Sequence, residues 1–400
     1  MAKRVGGFIN QDGLNAPDEP TGVSASAGDA EATVSFTAPS DVGASAITGY
    51  VATSNDGIGV TGSSSPITVT GLTNDTAYTF RVWALNAFGY SAPSGVSGSV
   101  TPEVPEQAFI AGGYTSAPLQ QIDVITIDTT GNATDFGDLS VARELGGCCS
   151  SATRAVIGGG DSSSSAILYF TMSSGGAIGT FGNLDLRVFS GTAGASNSTR
   201  GLFMGGRFSD GGGTPLTNTI QYVTIASTGN ATDFGDLTLA RAQTTATSSS
   251  TRAICAGGTE DVANRTNIMD YVTIASTGNA TDFGDLLTAS RRQAGAANST
   301  RAVFAGGRDT AVNNVIQYVT IASTGNATDF GDLTIVLEYL GGTSGSTRSV
   351  FCGGTDSGGG TNVVNYITTA STGNATDFGD LALVRETATQ TTSNAHGGLS

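Results

Sequence analysis

Few side chains in this chain are suited to covalent or metal chemistry. There is one histidine, His396. Nucleophilic catalysis needs a base beside its nucleophile, and neither a Gly-x-Ser-x-Gly turn nor a His–Cys cluster is present to provide one. Cys148, Cys149, Cys255 and Cys352 lack Cys-x-x-Cys spacing and read as small buried residues of strands. Oxygen ligands are more plentiful. Asn326, Asp329 and Asp332 fall in one hairpin, and the same Asn-x-x-Asp-Phe-Gly-Asp group recurs along the chain. A hard cation such as calcium takes these residue types, but the spacing is not that of a dedicated calcium loop. Asn and Asp also serve turns by bonding their own backbone, and that is the expected role. A carboxylate pair acting as acid and base needs two unlike environments, whereas these aspartates are copied from unit to unit. Arg154, Arg200, Arg252, Arg301 and Arg348 also recur, with Gln107 and His396 at the equivalent places in the first copy and the tail. Two readings are open for them. They form a partial cationic ring that takes an anion or acidic sugar, or they bond neighbouring carbonyls and carboxylates. No catalytic residue, metal or cofactor is expected.

The elements that must position these residues are set by a repeat. Gly131-Asn132-Ala133-Thr134-Asp135-Phe136-Gly137-Asp138-Leu139 returns unchanged at 229–237, 278–286, 325–333 and 373–381, with a degraded copy around Phe181. The marker phenylalanines, Phe136, Phe181, Phe234, Phe283, Phe330 and Phe378, are spaced by 45, 53, 49, 47 and 48 residues. A period of this length signals one supersecondary unit used repeatedly. Within 293–334, Gln293–Ser299 is made almost wholly of small residues. Arg301–Gly307 is an apolar strand ended by a double glycine, Ile316–Ala322 alternates, and Asp329–Leu333 is a short last strand. Four strands per unit are expected, the one with the smallest residues lying where strands crowd together.

The formal net charge of −16 disfavours a nucleic-acid partner, which needs clustered Lys and Arg. There is no run of about 20 apolar residues and no apolar leader, so neither membrane insertion nor classical secretion is expected. The Asn-Ala-Thr triplets at Asn132, Asn230, Asn279, Asn326 and Asn374 match a glycosylation acceptor only formally.

Three segments follow. Residues 1–15 are short and glycine-rich, with Val5, Phe8, Ile9 and Leu14 as apolar points, and read as an arm that docks on a partner. Residues 16–103 are bounded by proline-rich linkers and hold period-two runs such as Ala32–Phe36, Ile47–Thr53, Ile67–Thr70 and Tyr78–Ala84. The stretch Leu72–Ser91, with Leu six residues before Tyr78 and an Asn-x-x-Gly-x-Ser turn, resembles the fibronectin type III family. That resemblance implies a β-sandwich with Tyr78 as its tyrosine corner, and Phe36 standing where the family usually has Trp. Such a domain serves as a spacer or adhesion module.

Residues 107–400 hold the repeats. Double glycines such as Gly306-Gly307, third-strand tyrosines such as Tyr318, the Phe330 position, and arginines seven after the phenylalanine (Arg143, Arg241, Arg385) resemble kelch units; Val188, Ser290 and Leu337 depart from the last feature. The first copy lacks its small-residue strand, and Thr387–Asn394 provides one. The expected fold is therefore all-β: a fibronectin type III sandwich, then a six-bladed kelch-like β-propeller closed by the C-terminal strand. Loops between second and third strands differ most between units, so ligand contacts are expected there, at Arg207, Phe208, Asp210, Arg308, Asp309 and Asp356.

An arm, a fibronectin-like spacer and near-identical Gly/Ser/Thr-rich repeats resemble, in arrangement, phage virion proteins of the tail-fibre or capsid-decorating kind. The resemblance implies docking to other virion proteins through residues 1–15, host-surface glycans as ligands, and several copies per particle, with homo-oligomers among the arrangements. A bacterial surface or secreted adhesion protein is the alternative, and a propeller carbohydrate oxidase or sialidase a lesser one. One histidine does not make an oxidase copper site.

Overall fold

The computed structural model describes residues 16–160, 165–173, 178–186, 188–208, 213–261 and 264–399. Val5, Phe8, Ile9 and Leu14 of the expected arm, and Asp210 of the expected rim, lie outside them. Every helix-or-strand element among the described residues is a β-strand. The chain separates into two compact units, Met1–Pro105 and Glu106–Ser400.

In the first unit, strict alternation places Ala32, Val34 and Phe36 inward along Glu31–Thr37. That strand joins Thr21–Gly28 and Ile67–Thr70 in one sheet. Gly59–Gly62, Ile47–Ser54, Phe80–Asn86 and Gly89–Tyr90 form the other, and the two inner faces share a core. Phe36 packs on Tyr50 with ring centroids 4.8 Å apart, so the position is filled without Trp. The Tyr78 hydroxyl accepts the Thr73 N–H at 3.0 Å, which makes the tyrosine corner. Serines at a spacing of three cover part of one edge. The hydroxyls of Ser91, Ser94 and Ser97 accept from the N–H groups of Ala84, Val82 and Phe80, and their own N–H groups donate to the same residues' carbonyls. The segment thus satisfies the backbone of Phe80–Asn86 without being a strand itself.

Among its described residues, the second unit contains six antiparallel sheets, five of four strands and one of five. In the sheet built from Ala294–Ala297, Arg301–Ala305, Val315–Thr320 and Thr328–Asp332, the strands pair in chain order. The first sheet draws its fourth member from the far end of the chain: Thr391–Ser393 pairs antiparallel with Ala108–Ile110. This strand is shorter than the Thr387–Asn394 stretch because Thr387 bridges Tyr114 and the Ala388 N–H is taken by the Tyr339 carbonyl. Six apolar clusters hold the sheets together, each shared by two successive sheets. One of them sets Ile110 and Ile125 of the first sheet against Val350 and Phe378 of the sixth.

The repeated nonapeptide fastens one sheet to the next. The N–H of Gly373 donates to the Phe330 carbonyl, that of Ala375 to the Asp332 carbonyl, and the Asn374 side chain accepts the Asp332 N–H at 3.1 Å. The same three bonds recur from Gly229, Asn230 and Ala231, from 278–280, from 325–327, and from Gly131, Asn132 and Ala133 back to Phe378 and Asp380. Glycine is required on the accepting side of the joint. A Cβ on Gly331, whose φ is +148°, would meet the Gly373 carbonyl oxygen at 2.4 Å. The motif's repetition follows from this reciprocity, since the four copies at 229–237, 278–286, 325–333 and 373–381 are each both plug and socket.

Candidate functional site

The five repeated arginines are structural. Arg154 donates to the carbonyls of Ile225 and Ala226, Arg200 to Ile274, Arg252 to Ile321, Arg301 to Thr369, and Arg348 to Ile127 and Asp128. Each guanidinium also stacks over its own sheet's tyrosine, Arg301 lying 4.3 Å from the Tyr318 ring centroid. Of the two readings, bonding to the neighbouring sheet is the one realised. The four cysteines are free and buried, with burial pushing the Cys148 and Cys352 thiols up to about 12.

Two of the three arginines seven after the phenylalanine follow a second rule; the third, Arg143, donates to the Gly159 carbonyl, and Leu168 stands at the partner position of the next sheet. Arg241 pairs with Asp270 of the next sheet at 3.1 Å and Arg385 with Asp123 at 3.1 Å, all four side chains fully buried. Where the third strand carries Gln317 or Asn365 instead of Asp, the preceding repeat unit has Ser290 or Leu337; where it carries Gln221, the corresponding Val188 lies in a strand of the same sheet. The amide oxygens of Gln221, Gln317 and Asn365 accept a backbone N–H from the preceding repeat unit, from Asp185, Leu287 and Thr334 respectively. At Ser290 and Leu337, the absence of the arginine is therefore matched by an amide across the interface.

The rim residues divide. Arg207 and Phe208 belong to the strand Arg200–Phe208, paired with Leu216 and with Val188–Ser190, and not to a loop. The additional strand Val188–Ser190 prolongs pairing past the double glycine. Asp309 accepts the Ala311 N–H, and Asp356 those of Gly358 and Gly359, so both stabilise their own turns. Arg308 alone joins a larger network.

That network stands where the first strands begin. Leu145, Gly191, Gln243, Arg292, Tyr339 and Ala388 occupy equivalent places there. The N–H of Gly191 donates to Leu145, Gln243 to Gly191, Arg292 to Gln243, Tyr339 to Arg292 and Ala388 to Tyr339, at 2.9–3.0 Å. Leu145, Gln243, Arg292 and Tyr339 have φ of 55°, 57°, 63° and 59°. An L residue held in this left-handed region costs on the order of 1–3 kcal/mol, and such positions cluster at ligand sites.

The first strands of all six sheets enclose a narrow cavity with about 60 Å³ open to water. Gln243, Arg292 and Tyr339 line it, as do Thr244, Gln293 and Thr389. The Gln293 carbonyl oxygen and the Thr389 hydroxyl are buried with no hydrogen-bond partner, and the Thr244 side chain lies against the buried Cys255 thiol. Beside the cavity, Glu338 accepts from Arg308 through Nε and Nη2, the latter at 2.7 Å, and from Arg292 Nη1 at 2.8 Å. Burial would raise the Glu338 carboxyl, but these bonds prevail and hold it below its ordinary value. Arg292 also donates to Gln243 and lies 4.1 Å over the Tyr339 ring. Arg291 is held below the usual arginine range by burial and then by its neighbours Arg292 and Arg265.

At the other end of the first strands, serines link successive sheets. Ser196 donates to the Ser150 carbonyl, Ser248 to Ser196, Ser344 to Ala297, Ser393 to Ser344 and Ser150 to Ser393. His396 sits among them, its Nε2 at 3.3 Å from both Ser196 Oγ and the Ser150 carbonyl oxygen. Burial lowers its pKa to about 4. Its role is packing at that end.

Gln243, Arg292 and Tyr339 escaped the sequence reading because they share no residue type. One signal was present: Arg291-Arg292 is the only Arg-Arg pair in the chain.

No curated protein matches the chain. Among solved structures, one titled "Structure of YjhT" is similar with a TM-score of 0.56 at 9% identity, over 68% of this chain and 97% of that one. At that identity the likeness is one of fold alone. Residues 18–99 match the fibronectin type III domain family, and with the sandwich and tyrosine corner already described, this segment is a fibronectin type III domain.

Proposed function

We propose that the second unit is a closed, six-bladed, kelch-like β-propeller that binds a ligand without converting it. On this reading the chain is a virion structural protein, fibre-like or decorating a capsid, docked through residues 1–15 and presenting the propeller to host-surface glycans. Closure is supported by the pairing of Thr391–Ser393 with Ala108–Ile110 and by the bonds from Arg348 and Asp380 of the sixth sheet to the first. The observation that carries the binding role is the mouth. On a scaffold whose joints between sheets reuse one nonapeptide, the strained positions Gln243, Arg292 and Tyr339 differ from one another and face one cavity. The virion assignment rests on the arrangement of arm, spacer and repeats.

The experiment has two arms. Labelled full chain is incubated with host cells, and particles are assembled with and without residues 1–15. Cell attachment that Arg292→Gln weakens, together with loss of the truncated chain from particles, is expected. Normal incorporation without the arm refutes the docking role, and a chain that decorates no particle but attaches to cells points to a cellular adhesion protein.

A further inference from the structure

Beyond the strand Thr391–Ser393, the chain runs on as Asn394-Ala395-His396-Gly397-Gly398-Leu399 and crosses the far end of the first strands. The crossing is fastened to several sheets. Asn394 and Gln107 of the first sheet are bonded in both directions: the Asn394 N–H donates to the Gln107 carbonyl, and the Asn394 side-chain oxygen accepts the Gln107 N–H at 2.7 Å. His396 lies against Ser150 of the second sheet and Ser196 of the third, and the Gly397 N–H donates to the Ala297 carbonyl of the fifth at 2.8 Å. Two glycines follow the histidine because nothing larger fits. A Cβ on Gly397 would meet the carbonyl oxygens of Asn298 and Ala297 at 2.5 and 2.6 Å, and one on Gly398 would collide with that of Ser196. The tail therefore ties the strand that joins the two ends of the second unit to three other sheets.

His396 packs there in its neutral form. The Gly398 N–H donates to Nδ1 at 3.1 Å, so Nδ1 carries no hydrogen and the neutral ring has its own on Nε2. Nε2–H faces the Ser150 carbonyl oxygen and the Ser196 hydroxyl, each at 3.3 Å. A second proton must go to Nδ1, where it sets one N–H against another. It also brings a charge that no carboxylate answers. Among the residues lining the hollow of about 40 Å³ beside the ring, none is Asp, Glu, Lys or Arg, and burial keeps the Cys148 and Cys149 thiols there protonated. On the first sheet, the Glu106 carboxylate is taken by the Ser346 N–H at 2.9 Å. The five repeated arginines are turned to carbonyls of neighbouring sheets. The ring is half-buried, so protons reach it from solvent without unfolding.

We propose that residues 394–399 are an acid-released latch: neutral His396 docks the tail, and protonation at Nδ1 ejects it and loosens the pairing of Thr391–Ser393 with Ala108–Ile110. The ring titrates near 4 in place and near 6.5 when free, so the released tail binds the extra proton between those values. Docking is complete above about pH 6.5 and is lost as the pH falls, the released form gaining roughly a hundredfold on the docked one at pH 4. The latch is independent of what the second unit binds.

The test uses the full chain without a histidine tag, so that His396 is its only histidine. Nitrogen-15 labelling of histidine then isolates one ring in NMR spectra. The Nε2–H tautomer at pH 7 and a titration midpoint below about 5.5 are expected. Hydrogen exchange read by mass spectrometry, corrected for the intrinsic effect of pH, should show amides of 391–399 opening at least tenfold more at pH 4 than at pH 7, while Arg301–Ala305 keeps its protection. His396→Gln retains a donor and an acceptor but does not titrate, and should hold the tail equally at both pH values. The Nδ1–H tautomer, a midpoint near 6.5, unchanged tail protection at pH 4, or equal loss of protection in Arg301–Ala305 overturns the latch. So does a glutamine variant whose tail opens with acid as the parent's does. A variant whose tail is loose at both pH values supports the docking role of His396, and the parent's tautomer and exchange then decide the acid step.

Discussion

The matched pairs at the sheet interfaces allow a double-mutant cycle whose design is already present elsewhere in the chain. Arg241 and Asp270 are fully buried and 3.1 Å apart, and Nε and Nη1 of Arg241 have no hydrogen-bond partner. At the equivalent interface two sheets on, Leu337 and Asn365 stand in their places. Thr334 bonds Asn365 there as Thr238 bonds Asp270 here, through both its N–H and its hydroxyl. Asp270→Asn keeps the threonine bonds but strands a buried guanidinium, and should cost about 3–5 kcal/mol. Arg241→Leu leaves a buried carboxylate with only its threonine partners and should cost a similar amount. The double variant recreates the Leu–Asn interface and should lie within about 2 kcal/mol of the parent, giving a coupling energy of roughly 3 kcal/mol or more. The assay is urea unfolding followed by far-ultraviolet circular dichroism. Trp83, the only tryptophan, lies in the first unit, and its fluorescence midpoint should stay fixed as an internal control. Two units unfolding separately make a two-state fit to the whole chain inappropriate, so the two signals are fitted apart. Singles costing under about 1 kcal/mol, or a double costing the sum of the singles, would refute the claim that these pairs are matched across the interface.

Other outcomes test the remaining parts of the argument. Gly331→Ala should destabilise the second unit by more than about 2 kcal/mol, since it combines positive φ with a backbone clash at 2.4 Å, whereas Gly325→Ala meets no neighbouring atom and should cost less despite its own φ of +158°; thermal unfolding of both separates clash from φ. Phe330→Ala should cost about 3–5 kcal/mol, because the ring is 3% exposed and edge-on to Tyr318 at 5.8 Å; a midpoint unchanged within error would mean the ring contributes no packing. His396 titrates near 4 folded against 6.5 unfolded, so the unfolded chain holds the extra proton between those values. Stability is then complete above about pH 6.5 and falls by at most about 3 kcal/mol on acidification to pH 4. A stability–pH slope over that window that His396→Gln leaves unaltered would remove His396 as its source.

Legibility in the sequence followed how each residue does its work. The interface motif was legible because its duty is the same at each joint where it recurs, so the same residues return: Asn374 and Gly331 are fixed by partners that are themselves copies. The first-unit core was legible from alternation alone, and Tyr78 from its offset to Leu72. The matched pairs were half legible. Arg143, Arg241 and Arg385 were visible as a set, but the reason for Ser290 and Leu337 lies in Gln317 and Asn365, more than 25 residues along in each case and across a sheet boundary. Loop length pointed to Arg207 and Phe208, where an unforeseen strand, Val188–Ser190, had extended the sheet.

The mouth was not legible for a different reason. What makes Leu145, Gln243, Arg292 and Tyr339 equivalent is a backbone state, a positive φ joined to a chain of N–H to carbonyl bonds, and no side-chain type announces it. Glycine would be the local optimum at each of these places and occurs at one, Gly191. A chain with 58 glycines, which fill the other positive-φ positions described in the second unit, nonetheless places leucine, glutamine, arginine and tyrosine at four positions where each is strained. Stability does not account for that choice. A requirement for those side chains at that opening does, and it is why the strained, non-repeated positions and not the variable loop tips are where a ligand should be sought.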